Sequence, residues 1–148
     1  YAWIMNLIFA LLGIRTIQVT YKTHVFSTQL FGIIFGLSLL LVSVFRHAPL
    51  IEGVKVDQLQ DQLHSVFASS TGMSFTLLAI IQAIISNGRR RIIASIMVVV
   101  AILLTITMMT FPEIMGISQR LMFITAFLWI FLYIEPSINS SKENSKEI

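Results

Sequence analysis

Long apolar stretches separated by short polar breaks follow one another along the chain. Four of them carry no charged residue except Arg120, and each is long enough for a helix to cross a bilayer core, which needs about 20 residues. A fifth apolar stretch begins at Tyr1 and is followed by Arg15. The pattern therefore predicts membrane-spanning helices at residues 1–18, 27–45, 65–86, 92–111 and 116–134.

The predicted fold class is all-α, a polytopic transmembrane helix bundle. Continuous apolar runs lack the alternation of a membrane β-barrel, and only helices or closed barrels satisfy the backbone within lipid. The chain begins without Met, so we expect these five helices to be part of six, with one helix upstream of Tyr1. Residues 1–136 would form the bundle, with an interfacial helix or turn between Val54 and Leu63. Residues 137–148 are polar and are predicted to form a disordered tail.

Composition excludes several classes of protein. The chain is 56% hydrophobic and 11% charged, whereas soluble domains carry about 25% charged residues. It contains no cysteine, which excludes disulfides and thiolate chemistry. No Gly-rich phosphate loop, nucleophile elbow or dinucleotide motif occurs. We therefore expect no cofactor and no nucleic-acid partner, and the lipid bilayer is the first partner that the sequence predicts.

The basic residues are unevenly distributed between the two ends of the predicted bundle. Three lie at one end, namely Arg46, Lys55 and Arg120. The other end carries seven basic residues, and the positive-inside rule places it in the cytoplasm. The chain is therefore expected in the cell (plasma) membrane with a cytoplasmic C-terminus. The three consecutive arginines there are interpreted as a topology determinant, with an anionic-lipid site as the alternative. The seven basic residues at that end are Arg15, Lys22, Arg89, Arg90, Arg91, Lys142 and Lys146.

Small residues on the second predicted helix favour close helix packing. Gly32 and Gly36 are four residues apart, the spacing at which helix backbones approach closely in membranes. The ordinary interpretation is packing within the chain. A homo-oligomer or another membrane partner docking on the Gly32/Gly36 face is the alternative.

Polar side chains in or beside the apolar stretches gather at the predicted outer end. Such groups are costly in lipid unless they are satisfied, so we expect them to be contiguous, with Arg120 reaching one of the others. They form either a hydrogen-bond network that fixes helix ends or a ligand site that opens outward. We call this set the outer polar cluster: Asn6, Arg46, His47, Asp61, His64, Gln119 and Arg120.

Three functions remain open at this stage. Binding or passing a small ligand at the outer polar cluster is favoured, and an enzyme is disfavoured. A metal-dependent membrane hydrolase is the second, since Asp57, Asp61 and His64 would share one helical face, although their spacing matches no known metal motif. A non-enzymatic accessory or structural subunit is the third, and it needs only the Gly32/Gly36 face.

Several motifs resemble the DUF998 family of prokaryotic six-helix membrane proteins. They are Met5-Asn6-x-x-Phe9 in the first helix, a helix ending in Phe45, His64 opening the next helix, and Gly116-x-x-Gln119-Arg120 followed by Trp129. The resemblance covers the five helices in order. It implies that one N-terminal helix precedes Tyr1 and that Asn6, His64 and Arg120 occupy recurrent polar positions. It implies no particular activity, since the family has none assigned.

Overall fold

The computed structural model of the chain describes residues 2–45 and 57–134, and the regular structure in these ranges is entirely helical. A 3-10 turn, Pro112–Ile114, precedes the last α-helix, and a π-helical segment, Ile130–Ile134, extends it. Five helices are long and apolar enough to cross a membrane, which confirms the predicted all-α class. The helices are α1 (Ala2–Tyr21), α2 (Phe26–Val44), α3 (Gln58–Ile85), α4 (Arg89–Thr110) and α5 (Met115–Trp129). The fifth reaches membrane-crossing length together with its π-helical extension, as the span Met115–Leu132.

Helix α3 begins earlier than its hydropathy predicts. The Asp57 carboxylate accepts hydrogen bonds from the backbone N–H groups of Leu59 (3.1 Å) and Gln60 (3.2 Å), so it caps a helix that starts at Gln58. Residues 58–63, expected in an interfacial helix or turn, are helical and form the first turns of α3, and residues 54–56 lie outside the described ranges. With 28 residues, α3 is about 42 Å long, longer than a bilayer core of about 30 Å.

The turn between α3 and α4 is built from a glycine and an arginine. Gly88 has a φ of 57°, a conformation that favours glycine, and it directly precedes α4. Arg91 turns back and donates hydrogen bonds to the carbonyl oxygens of Ala83 (3.0 Å) and Ile84 (3.2 Å). These carbonyls belong to the last turn of α3 and lack partners within the helix. The basic turn therefore has a structural role as the C-terminal cap of α3.

Consecutive helices pack side by side, and the last helix returns to the first. Each of α1 to α4 contacts the helix that follows it, and the π-helical segment after α5 contacts α1. The rings of Phe9 on α1 and Phe123 on α5 lie 4.9 Å apart, edge to face. Short connections make neighbouring helices antiparallel, so α1, α3 and α5 start at one end of the bundle, which we call the His64 end.

Aromatic contacts between α2, α3 and α5 form the centre of the bundle. The ring centroid of Phe35 on α2 lies 6.1 Å from that of Phe75 on α3 and 6.2 Å from that of Phe127 on α5. The ring centroids of Phe75 and Trp129 lie 5.9 Å apart. Leu39 and Leu78 beside them are fully buried. Many large apolar side chains of the same helices face outward, as expected of helices surrounded by lipid.

The Gly32/Gly36 face of α2 is covered by α1. A Cβ atom on Gly36 would lie 2.6 Å from Cγ1 of Ile17 and 2.7 Å from the carbonyl oxygen of Gly13, and one on Gly32 would overlap Thr20. The small-residue face therefore packs within the chain, as the ordinary interpretation expects. A partner docking here would have to displace α1.

Candidate functional site

The outer polar cluster is only partly covered by the described residues. Arg46 and His47 lie outside them. Asn6 is half-buried on α1, three residues before Phe9, and Arg120 is exposed on α5, three residues before Phe123. Because α1 and α5 run parallel and these two rings touch, Asn6 and Arg120 lie at the same level of the bundle. The structure shows no hydrogen bond between them.

Arg120 lies on an exposed position of α5. No hydrogen bond in the described residues links it to Gln119 or Asn6. Asp61 is half-buried in the first turns of α3. Within the described residues, Arg120 is therefore not hydrogen-bonded to Asn6 or Gln119, and the described members of the cluster all lie near the His64 end.

His64 connects the end of α2 to α3. Its Nδ1 atom lies 2.9 Å from the carbonyl oxygen of Phe45, and since a carbonyl carries no proton, Nδ1–H is the donor. The Phe45 ring stacks on Phe67 one turn further along α3, with centroids 5.6 Å apart and planes 17° apart. These two contacts hold the C-terminal end of α2 against α3 and set the orientation of the imidazole.

A groove of about 850 Å³ lies between α3, α4 and α5 and begins at His64. It brings His64 together with Gln119, two members of the outer polar cluster that are far apart in sequence. Asn6, Asp61 and Arg120 do not line it. We call it the Met-rich groove; its walls include His64, Ser65, Gly72 and Met73 on α3, Thr105, Met108 and Met109 on α4, and Met115, Gln119 and Met122 on α5.

Helical spacing explains why these residues share the groove. On α5, Met115, Gln119 and Met122 are separated by four and three residues, which places them on one helical face. Gly72 leaves α3 without a side chain opposite this face, and a Cβ there would lie 3.4 Å from Cε of Met122. The absence of a side chain at Gly72 therefore lets Met122 approach the backbone of α3 at this level.

Methionines dominate the groove, which our sequence analysis did not anticipate. Five of the seven methionines in the chain line it. Methionine is flexible and polarizable, and it is common at surfaces that accept ligands of varied shape. The signal was present in the sequence, because Met108, Met109 and Met115 surround the turn between α4 and α5 and Met122 follows one heptad later.

The hydrogen-bonding capacity of the groove is concentrated at its His64 end. Thr76 and Thr105 lie deeper, but their hydroxyls donate to carbonyls of their own helices, Gly72 (2.9 Å) and Ala101 (2.8 Å). The half-buried Gln119 side chain makes no hydrogen bond that the structure shows within the described residues. The Gln119 amide therefore offers both a donor and an acceptor at the mouth of the groove.

A comparison of the chain with family models, with curated proteins and with solved structures gives no match in any of the three. The resemblance to the DUF998 family therefore stays a prediction.

The three residues considered as metal ligands do not assemble into a site. The Asp57 carboxylate accepts the backbone hydrogen bonds that cap α3. Among residues 2–45 and 57–134, no group of three His, Asp or Glu side chains could hold a metal ion. The hydrolase alternative therefore gains no ligand set from the described part of the chain.

Proposed function

We propose that the chain is an integral membrane protein that binds a small ligand in the Met-rich groove, with the polar part of the ligand at the His64 end. The observation that carries the proposal is that His64 and Gln119 line one groove of about 850 Å³ between three helices. Ligand pockets commonly measure about 300–1,000 Å³ and combine apolar walls with a few polar groups. The groove has both properties.

The proposed role is binding or passage of the ligand, and no chemical reaction is assigned. His64 is the one titratable side chain among the residues that line the groove. The groove wall carries no nucleophile paired with a base, and a single imidazole does not specify a reaction. The accessory-subunit alternative differs in that it needs no ligand in the groove.

We further propose the cell membrane as the location, with the C-terminus in the cytoplasm and the His64 end outside. The support is the excess of basic residues at the Arg91 end and in the C-terminal segment. Membership of the prokaryotic DUF998 family is proposed on the motifs around Asn6, His64 and Gln119. A groove mouth at the outer surface would admit ligands from outside the cell or from the outer leaflet.

Molecules that the protein retains during purification test the ligand-binding proposal. The protein is purified, reconstituted into lipid nanodiscs and extracted, and the extract is analysed by mass spectrometry. We expect one class of molecule at about one per chain in the wild type, and a loss of about tenfold in Gln119→Leu, equivalent to about 1.4 kcal/mol.

Gln62→Leu is the matched control, because Gln62 is exposed on α3 at the same end and does not line the groove. Retention by this variant should equal that of the wild type. Equal retention by all three proteins, or no stoichiometric molecule in the wild type, would refute the proposal and favour the accessory subunit.

A further inference from the structure

We propose that the ligand is a single-chain amphiphile, such as a long-chain fatty acid, whose apolar chain lies in the Met-rich groove and whose head group lies at Gln119 and His64. This inference rests on the proposed function and specifies its ligand class. It draws on three observations: the distribution of polarity along the groove, its length and its opening.

The polarity of the groove matches that of an amphiphile. The half-buried Gln119 amide, which makes no hydrogen bond shown within the described residues, lies at the mouth. Ser65 and Ser69 on α3 continue the polar part of the wall beyond His64. Deeper still, the threonine hydroxyls bond to their own helices, and the rest of the wall presents methyl, methylene and thioether groups. A ligand with one polar end and a long apolar body satisfies both regions, whereas a polar solute would leave its own groups unpaired in the deeper part.

The length of the groove fits the acyl region of one leaflet. Its lining residues on α3 run from His64 to Leu77, a rise of about 20 Å. Half of a bilayer core is about 15 Å deep. A chain that enters beside His64 can therefore lie along the groove at the depth of an ordinary lipid chain.

The groove is open along its side. Met73 is 67% exposed, Ile106 is 53% exposed and Met115 is 45% exposed, although all three line it. A lipid chain can therefore enter laterally from the bilayer.

Photolabelling with a 16-carbon fatty acid that carries a diazirine in its chain tests the inference. The protein is embedded in nanodiscs of phosphatidylcholine, labelled, and mapped by peptide mass spectrometry. We expect labelling of Met73 and Met122 that saturates with probe concentration and is displaced by excess palmitic acid. Because the surrounding phosphatidylcholine has two chains, labelling that saturates would show that the groove binds the single-chain probe in preference to the bulk lipid.

Gly72→Leu fills the groove opposite Met122 and should lower this labelling about tenfold, equivalent to about 1.4 kcal/mol. Gly116→Leu makes the same change where a Cβ has no neighbour within 4 Å and outside the groove lining, so it should label as the wild type does. A size-exclusion profile equal to that of the wild type shows that each variant is folded. If Gly72→Leu does not fold, Met122→Ala should shift the labelled positions instead.

The possible outcomes separate this inference from the proposed function. Labelling that is not displaced by palmitic acid, and that is equal at lipid-facing positions such as Leu103, overturns the amphiphile. If the wild type still retains another molecule that Gln119→Leu loses, the ligand-binding function stands with a different ligand class. Cross-linking of one chain to another through the groove in the absence of probe would identify a second copy as the occupant and also overturn the proposal.

Discussion

At the scale of single residues, His64 has two roles. Its Nδ1–H group donates to Phe45 and holds α2 against α3, and the same ring forms part of the wall of the Met-rich groove. The first role accounts for a histidine at this position without metal or acid–base chemistry. The second brings the imidazole within reach of a ligand head group.

Replacing His64 by alanine should therefore lower stability and leave metal content unchanged. Loss of one hydrogen bond costs about 1 kcal/mol, and a scan of thermal unfolding by tryptophan fluorescence would measure it. His24→Ala is the matched control, because His24 is exposed in the turn between α1 and α2. Elemental analysis of the same samples decides the metal question. Stoichiometric zinc in the wild type that His64→Ala loses would revive the hydrolase alternative.

At the scale of helices, the predicted boundaries were most accurate where apolar runs end in turns and least accurate at α3. Residues 58–64 are mostly polar, so hydropathy begins the membrane span at Ser65 and leaves the residues up to Leu63 to an interfacial helix or turn. The cap made by Asp57 nevertheless starts the helix there. The π-helical segment after α5 had no counterpart in the prediction, since its residues continue the apolar run without interruption.

The contact between α1 and α2 should be the bundle contact most sensitive to side-chain size. Gly36→Leu introduces a side chain where a Cβ already overlaps Ile17 and Gly13, which we expect to cost about 2 kcal/mol. Gly116→Leu has open space and should change little. Denaturation in mixed micelles of increasing SDS content would measure both. Equal midpoints for the two variants would contradict the close packing of α1 on α2.

At the scale of the whole molecule, the number of helices follows from the sequence, but their lateral arrangement does not. In lipid, outward-facing side chains are as apolar as buried ones, so the hydropathy pattern along the chain does not indicate which helices are neighbours. The sequence could therefore place Asn6, His64 and Gln119 at one end. It could not indicate that Gln119 shares a groove with His64 while Asn6 lies elsewhere.

Orientation in the membrane is tested by fusions after Ile148. The excess of basic residues at the Arg91 end predicts that green fluorescent protein fused there fluoresces and that alkaline phosphatase fused there is inactive. The reverse pattern would place the mouth of the Met-rich groove at the cytoplasmic face.

The hydrogen bond between His64 and Phe45 also affects how much the length of the intervening segment can change. Segment 46–56 joins two points that helix contacts already hold in place, since Asp57 caps the same helix that carries His64. The closure entropy of a loop rises by only about 0.6 kcal/mol when its length doubles. This connection can therefore accept added residues, for instance an inserted epitope, while the five helices keep their arrangement.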